Sequence, residues 1–294
     1  MAHLRYLWKM IFDGRGVPDA APFSPQPETW SNSRISGSCL GHSTVLLNFL
    51  GTIILTDPVF SQRIGPGFHP FILGPKRYLQ PALDRTQTPT PDIIVLSHAH
   101  FDHLDLPSLK SFSRETPVVT ARSTSDLLIR RGFRNVTELG WGESAWIPPL
   151  SGGKPVRFTG LEVAHWGARM VRDEHRGYSA YLMERDGFSV CFAGDTAYTT
   201  AFSQLRSLKR PLDLMLMPIG AYDPWIRAHC NPEQAAAMAR QAHARSFVPI
   251  HQQTFKLSSE PLHEPAQRIR SAWADCPERL QAVDVGATFH VPLA

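Results

Sequence analysis

The order of apolar and polar positions predicts a chain of short strands with helices between them. Residues 34–60 contain two or three short apolar runs with a turn at Leu50–Gly51, and "DIIVL" at 92–96 is a continuous apolar run typical of a buried strand. A second tight turn is predicted at Asp186–Gly187. Further strands are predicted at 117–121, 135–140, 156–166, 178–196, 213–220 and 246–251.

Helix signals are clearest in "NPEQAAAMARQAHA" at 231–244. Asn231 can cap this helix, Pro232 suits its first turn and Glu233 complements its dipole. Three more segments carry helix signals, at 104–112, 123–132 and 264–276. Each half of the chain is therefore strand-rich at first and mixed later, which favours an α/β fold with a layered core.

The domain organisation follows from the loop-forming segments. Residues 1–32 are expected to be an N-terminal extension, and residues 33–294 a single domain, because no linker divides them. The Pro-rich segment 60–91 is expected to be a long loop, and such a loop inside a compact domain is often a wall or lid beside a site.

Composition excludes some classes of protein. Hydrophobic residues make up 43% of the 294 positions and charged residues 19%, as in globular proteins with a sizeable core. The four cysteines (Cys39, Cys191, Cys230, Cys276) are far apart, which disfavours a disulfide framework or a cysteine-rich zinc site. The net charge of +4 comes without a run of basic residues, so no nucleic acid is expected as a partner.

The longest apolar stretch, Val45–Leu55, is too short to span a bilayer. This short stretch and the free thiols, which suit a reducing compartment, together predict a soluble, cytoplasmic protein. Contact of such a protein with the surface of a membrane is compatible with this prediction.

Candidate chemistry is concentrated in "LSHAHFDHLD" at 96–105, directly after the predicted buried strand. His98 and His100 are two positions apart, so both imidazoles lie on one side of an extended segment. Asp102 and His103 follow as the chain turns toward a helix, so they can face the same space from another direction. This HxHxDH pattern indicates ligands for two metal ions rather than one.

More metal-binding groups follow other predicted strands. His165 ends "LEVAHW", Asp195 ends "SVCFAGD" and His251 ends "FVPIH". A single histidine at a strand end is more often a hydrogen-bonded structural residue, but three such ends downstream of HxHxDH indicate one shared site. Ligands that converge from strand ends on one edge of a sheet are what a binuclear centre needs.

These motifs resemble the metallo-β-lactamase superfamily, and within it the branch typified by the N-acylphosphatidylethanolamine-hydrolysing phospholipase D. The resemblance covers about Gly41 to Phe255, in family order, through "GHSTVLL", "TDPVFSQR", "GPKRY", "LSHAHFDHLD", "HWGAR", "FAGDTAY", "PIGAYDP", "HCNPEQA" and "IHQQTF". It implies an αββα sandwich, with residues 33–294 as a single metallo-hydrolase domain.

The resemblance also implies two zinc ions, and iron or manganese are the alternative metals. His98, His100 and His165 would hold the first; Asp102, His103 and His251 the second; Asp195 would bridge them. Imidazole and carboxylate ligands suit zinc. Asp57 and His42 would orient ligands, and His229 resembles a family histidine on the substrate side of the pocket.

The function implied is a zinc-dependent phosphodiesterase of phospholipase D type, acting on N-acyl phosphatidylethanolamine-like lipids through a hydroxide shared by the metals. Asp102, Asp195 and His229 are the candidate catalytic residues, and Arg169, His229 or Lys76 would neutralise the phosphate. The alternatives are a lactonase-type or other carbonyl hydrolase on the same centre, a nuclease, which the charge pattern disfavours, and a non-catalytic metal-binding scaffold.

A phospholipid or other phosphodiester substrate would bring the protein to a lipid surface. The candidate contacts are "LRYLWKMIF" at 4–12 and "FHPFILGPKRY" at 68–78, where apolar side chains stand beside Lys76 and Arg77. The alternatives are that both stretches pack on the body of the protein, or on a second subunit in a homodimer.

Overall fold

The computed structural model describes residues 16–68, 71–170 and 173–292. The N-terminal segment proposed for lipid contact, residues 4–12, lies outside this part of the chain. Among the described residues, no helix has the length and apolar character needed to cross a membrane.

Most of the described strands are short. Their bounds are β1 (Ile35–Gly41), β2 (Thr44–Phe49), β3 (Thr52–Thr56), β4 (Gly67–Phe68), β5 (Phe71–Ile72), β6 (Ile93–Leu96), β7 (Val118–Ala121), β8 (Val136–Leu139), β9 (Ser144–Ile147), β10 (Val156–Leu161), β11 (Ala180–Arg185), β12 (Phe188–Phe192), β13 (Leu214–Pro218), β14 (Ser246–Ile250) and β15 (Thr288–His290). They form a sheet in the order β15-β1-β2-β3-β6-β7-β8, a second in the order β14-β13-β12-β11-β10-β9, and the small ribbon β4-β5.

The helices in the described part of the chain are α1 (Leu106–Leu109), α2 (Ser125–Ile129), α3 (Pro232–Gln241) and α4 (Glu264–Ala272), with short 3-10 helices at Pro27–Thr29, Ala201–Ser207 and Pro277–Arg279. The predicted cap of α3 is confirmed, because the side chain of Asn231 accepts from the Gln234 backbone N–H at 2.9 Å. The helices predicted at 104–112 and 123–132 are single turns, shorter than expected.

Both predicted tight turns are confirmed. Leu50 and Gly51 have φ of 54° and 86°, and Asp186 and Gly187 have φ of 50° and 82°, the left-handed conformation that two-residue hairpins need. Strand β9 was not predicted. It has only four residues, in which the exposed Ser144 and Trp146 alternate with the less exposed Ala145 and Ile147. So short an alternation cannot be distinguished, in the sequence, from the glycine-containing loop that precedes it.

The two large sheets pack face to face, and helices cover their outer faces. The inner core joins side chains of the first sheet, such as Leu47 and Val95, to side chains of the second, such as Tyr181 and Phe192. A second cluster packs α3 and α4 on the second sheet, and a third packs α1 and α2 on the first. The predicted αββα sandwich is therefore confirmed.

Polar residues collect at one edge of this sandwich. β3 and β6 are parallel, as are β12, β13 and β14, so within each group the carboxyl ends of the strands share an edge. Asp57 directly follows β3, and His251 directly follows β14.

At the other end of the sandwich, Arg185 ties the two sheets together. Its guanidinium donates to the carbonyl oxygens of Phe49 and Leu50 and to the Thr52 hydroxyl, all in the β2–β3 hairpin of the opposite sheet. The side chain is largely buried, so these acceptors have little access to water.

We expect Arg185→Met to lower the free energy of unfolding by about 3 kcal/mol, because it leaves several buried acceptors without a donor. The control is Arg157→Met on β10, whose side chain is 44% exposed and pairs with Glu184 at the surface, so that it should cost at most about 1 kcal/mol. Urea denaturation measures both. Equal losses would contradict the role given to Arg185.

Candidate metal centre

The HxHxDH segment forms the first part of the site. His98 follows β6, and its Nε2 lies 2.8 Å from Nδ1 of His100. The two imidazoles therefore meet on one side of the segment, as the i, i+2 spacing predicts.

His165 joins this pair from another loop, after β10. Its Nε2 lies 3.3 Å from Nδ1 of His100, while its Nδ1 contacts the Ala228 carbonyl oxygen at 2.8 Å. Since a carbonyl can only accept, Nδ1 carries the proton and Nε2 has a lone pair available for a metal. The structure brings together His98, His100 and His165 as three donors that could hold one ion.

Asp102, His103 and His251 form a second group. Oδ2 of Asp102 lies 3.5 Å from Nε2 of His103 and 3.4 Å from Nε2 of His251. His42 belongs to the same group, with its Nε2 2.9 Å from Oδ2 of Asp102. His42 is thus placed to donate a hydrogen bond to Asp102, which agrees with the orienting role expected for it.

Asp195, which follows β12, lies between the two groups. Its Oδ2 is 3.1 Å from Nε2 of both His103 and His251, and 4.0 and 3.8 Å from Nε2 of His98 and His165. One carboxylate oxygen therefore faces donors of both groups, the position that a bridging ligand would occupy.

Behind these donors, Asp57 and Ser97 hold two of the histidines. Asp57 accepts from the Ser97 backbone N–H at 2.8 Å and from the Ser97 hydroxyl at 2.6 Å, and its Oδ2 lies 2.6 Å from Nδ1 of His103. The Ser97 hydroxyl also lies 2.9 Å from Nδ1 of His98. Asp57 therefore fixes His103 with Nε2 toward the site, and Ser97 is a partner that the sequence did not reveal.

Three site residues have an unusual backbone. His42, Asp57 and His251 have φ of 55°, 31° and 58°, in the left-handed region that side chains other than glycine seldom adopt. Such conformations persist only where the surrounding structure holds them, and they cluster at functional sites. Each occurs in the segment that turns a strand end toward the centre.

The charges of the site are set by burial and by close opposite charges. Burial opposes ionisation of Asp102 and Asp195, but neighbouring imidazoles, His103 foremost, keep the pKa of both carboxyls well below its usual value. Burial lowers the pKa of His100 to about 3. For His251 the effect of burial is outweighed by Asp195 and Asp102, which raise its pKa to about 9.

These residues fit a metal centre. The buried atoms His103 Nε2, His251 Nε2 and Asp195 Oδ1 have no hydrogen-bond partner in suitable geometry, and orphaned polar atoms of this kind are costly. Among the described residues, the groups able to hold an ion contain imidazole nitrogens and carboxylate oxygens and no thiolate. Divalent cations bound between them would satisfy all three atoms.

His229 is the third residue predicted to take part in catalysis, and it does lie in the site. Its Nδ1 is 3.7 Å from Oδ2 of Asp195 and has no hydrogen-bond partner. Burial lowers its pKa to about 3, so the ring is neutral at neutral pH.

The structure does not support two of the predicted phosphate contacts. Arg169 donates to the carbonyls of Ala99 and Leu104 instead, and Lys76 donates to the Gly16 carbonyl oxygen at 2.5 Å. Sequence reasoning also missed Trp166, whose ring centroid lies 4.4 Å from that of His165 and 4.7 Å from that of His100. Its position next to His165 in the chain was the one available signal.

Comparison with known proteins supports these observations. Residues 52–252 match the model of the beta-lactamase superfamily domain. An uncharacterised protein of Mycobacterium tuberculosis H37Rv is 30% identical over 90% of this chain and 72% of its own length. The N-acyl-phosphatidylethanolamine-hydrolyzing phospholipase D 1 of Caenorhabditis elegans is 31% identical over 82% of this chain and 70% of its own.

The fold has close counterparts among solved structures. Igni18, a metallo hydrolase from the archaeon Ignicoccus hospitalis, superimposes with a TM-score of 0.65 over 88% of this chain and 99% of its own, at 20% identity. With the family match and the His/Asp cluster, this likeness in fold leads to one conclusion. The chain belongs to the metallo-β-lactamase superfamily and is a metal-dependent hydrolase that resembles the N-acyl-phosphatidylethanolamine-hydrolysing phospholipases D.

Proposed function

We propose that the protein is a zinc-dependent phosphodiesterase of phospholipase D type that acts on N-acyl phosphatidylethanolamine-like lipids. The observation that carries the proposal is the position of Asp195 Oδ2, within 4.0 Å of a ring nitrogen of five histidines and between two groups of donors. The similarity to the C. elegans phospholipase supports the choice of reaction and substrate class.

The two groups of donors would each hold one ion. His98, His100 and His165 would bind the first, Asp102, His103 and His251 the second, and Asp195 would contact both. Nitrogen and oxygen ligands of this kind suit zinc, and they also suit iron or manganese. Two such ions, when bound, lower the pKa of a water molecule and polarise a phosphoryl oxygen.

The reaction adds a water oxygen to phosphorus, breaks the P–O bond to the N-acylethanolamine and leaves a proton on the alcohol oxygen. The side chain of Asp102 is 14% exposed and that of Asp195 is 1% exposed. Asp102 is therefore the carboxylate that an incoming water can reach, and it can orient that water by accepting a hydrogen bond.

His229 would contact the phosphate. As a neutral imidazole it can donate one hydrogen bond to a phosphoryl oxygen, whose negative charge grows as water attacks. Arg169 and Lys76 are engaged with backbone carbonyls, which leaves His229 as the predicted phosphate contact that lies beside Asp195.

The first prediction from the proposed function concerns metal content. We expect about two metal ions per chain, because the donors exceed those of one tetrahedral site. His100→Ala and Asp195→Ala should each lose metal and at least about a hundredfold in activity, while circular dichroism stays unchanged because the core does not include them.

His175→Ala is the matched control for metal content, because His175 is exposed and lies ten residues beyond His165. It should keep both ions and full activity. Elemental analysis that finds at most one firmly held ion in active protein would contradict the binuclear centre.

The second prediction concerns the reaction class. Purified metal-loaded protein should hydrolyse N-acyl phosphatidylethanolamine vesicles and aryl phosphodiesters faster than lactones or RNA. In oxygen-18 water, the label should enter the phosphate product, because water attacks phosphorus. Turnover of lactones with every phosphodiester inert would favour the carbonyl hydrolase, and label found in the alcohol alone would exclude attack at phosphorus.

The third prediction concerns the lipid surface. We propose that the segment 68–78 contacts the membrane through its apolar side chains, since Phe71 is 69% exposed and Leu73 is also exposed, whereas Arg77 is buried and Lys76 donates to the Gly16 carbonyl oxygen. Phe71→Ser/Ile72→Ser should weaken co-sedimentation with anionic vesicles and slow lipid turnover. Turnover of a small soluble diester should stay at the wild-type rate.

Trp146→Ser provides the matched control for lipid binding. Trp146 is 62% exposed, but it lies far from Asp195. The strand pairing places it in register with Glu184 and Ser189, beside the Asp186–Gly187 turn and at the end of β12 opposite the one that leads to Asp195. It should leave sedimentation unchanged. If Trp146→Ser weakened co-sedimentation as much as Phe71→Ser/Ile72→Ser, or if the wild type did not sediment with vesicles, the segment 68–78 would not be the membrane contact.

A further inference from the structure

We propose that Arg169 is a positioning residue that fixes the HxHxDH loop, residues 98–104, from the neighbouring loop that carries His165. This inference rests on metal binding by the cluster, and it does not depend on the phospholipid substrate. The sequence suggested a phosphate contact for Arg169, but its guanidinium is directed toward backbone carbonyls of the protein itself.

Two hydrogen bonds carry the argument. Nη1 of Arg169 donates to the Ala99 carbonyl oxygen at 2.8 Å and to the Leu104 carbonyl oxygen at 2.7 Å. Ala99 lies between His98 and His100, and Leu104 directly follows His103. One nitrogen therefore joins the beginning and the end of the loop, which limits the backbone on both sides of the metal-binding side chains.

A third contact is with the middle of the loop. The guanidinium carbon of Arg169 lies 3.9 Å from the ring centroid of Phe101, between His100 and Asp102. A planar guanidinium can stack on a ring and donate in its own plane at the same time, whereas the compact ammonium of lysine cannot.

The charge of Arg169 is compensated within the same structure. Burial lowers its pKa to about 10 and the carboxylate of Asp105 acts in the opposite direction, so the guanidinium stays charged at neutral pH. Asp105 directly follows Leu104 and accepts from the hydroxyls of Ser61 and Ser108, both at 2.5 Å. The anion that balances Arg169 is thus itself fixed at the end of the loop.

The position of Arg169 in the chain explains why this matters for metal binding. It lies four residues after His165, so one side chain connects the loops that supply His98, His100 and His165. Residues that orient metal ligands without touching the ion typically contribute ten- to hundredfold in metal affinity. Loss of Arg169 should therefore weaken metal binding more than it weakens the fold.

Arg176 offers a matched control on the same loop. It is largely buried, but it donates to the Ser123 carbonyl oxygen at 2.7 Å and pairs with Asp126 and Asp173. Two of these partners thus lie in or just before α2 and the third in its own loop, and none belongs to residues 98–104.

The test compares wild type, Arg169→Lys, Arg169→Gln and Arg176→Gln. Zinc affinity is measured by competition with a chromogenic chelator, and the melting temperature is measured with and without zinc. The visible spectrum of the cobalt-substituted protein reports the geometry of the ligands. Both Arg169 variants should bind zinc about 10- to 100-fold more weakly and show an altered cobalt spectrum. Zinc should also raise their melting temperature less than it raises that of the wild type. Arg176→Gln should melt lower by the same amount with and without zinc, with unchanged affinity and spectrum.

Wild-type zinc affinity and cobalt spectrum in folded Arg169→Gln would overturn the proposal. So would failure of both Arg169 variants to fold in the presence of zinc, since Arg169 would then support the fold rather than the ligands. The proposed function fails separately: wild type that binds zinc firmly but cleaves no phosphodiester would remove the substrate and leave the role of Arg169 intact.

Discussion

The metal site depends most on one buried carboxylate, Asp195, and on the imidazoles around it. A buried charge is costly unless groups of opposite charge or hydrogen-bond donors surround it. Here the donors come from loops after β6, β10 and β14, and no single stretch of chain supplies them. The sandwich brings these donors together because its parallel strands end at a shared edge, and its apolar core keeps the polar groups at that edge.

Imidazoles that lie this close together need hydrogen-bond partners on the side away from the metal site, because each ring must direct one particular nitrogen toward the site. Asp57 fixes His103, the Ala228 carbonyl fixes His165, and Arg169 holds the backbone that carries His98 and His100. The left-handed backbone at His42, Asp57 and His251 belongs to the same arrangement. The apolar sandwich and the hydrogen bonds behind the ligands thus hold together a set of polar groups that would otherwise turn toward water.

The sequence could predict the parts of the site that local spacing determines. The i, i+2 histidines, His251 directly after β14, the positions of Asp195 and His165 a few residues beyond β12 and β10, and the αββα fold all follow from patterns within a few residues or from the family motifs. The direction of Arg169 could not be predicted in this way, since it depends on how two distant loops meet. Strand β9 escaped notice because four residues carry too little periodicity, and the domain boundary at 32/33 remains a prediction.

The surroundings of the site bear on the choice among phosphodiester substrates. A nuclease needs cations that can follow a phosphate backbone, yet Arg169 is committed to carbonyl oxygens of its own chain. Trp166 is partly exposed beside His100, and Trp225 and Ile226 are partly exposed in the turn that leads to His229. If His229 contacts the phosphate as proposed, these apolar side chains in the same turn and beside His100 would suit a substrate with acyl chains.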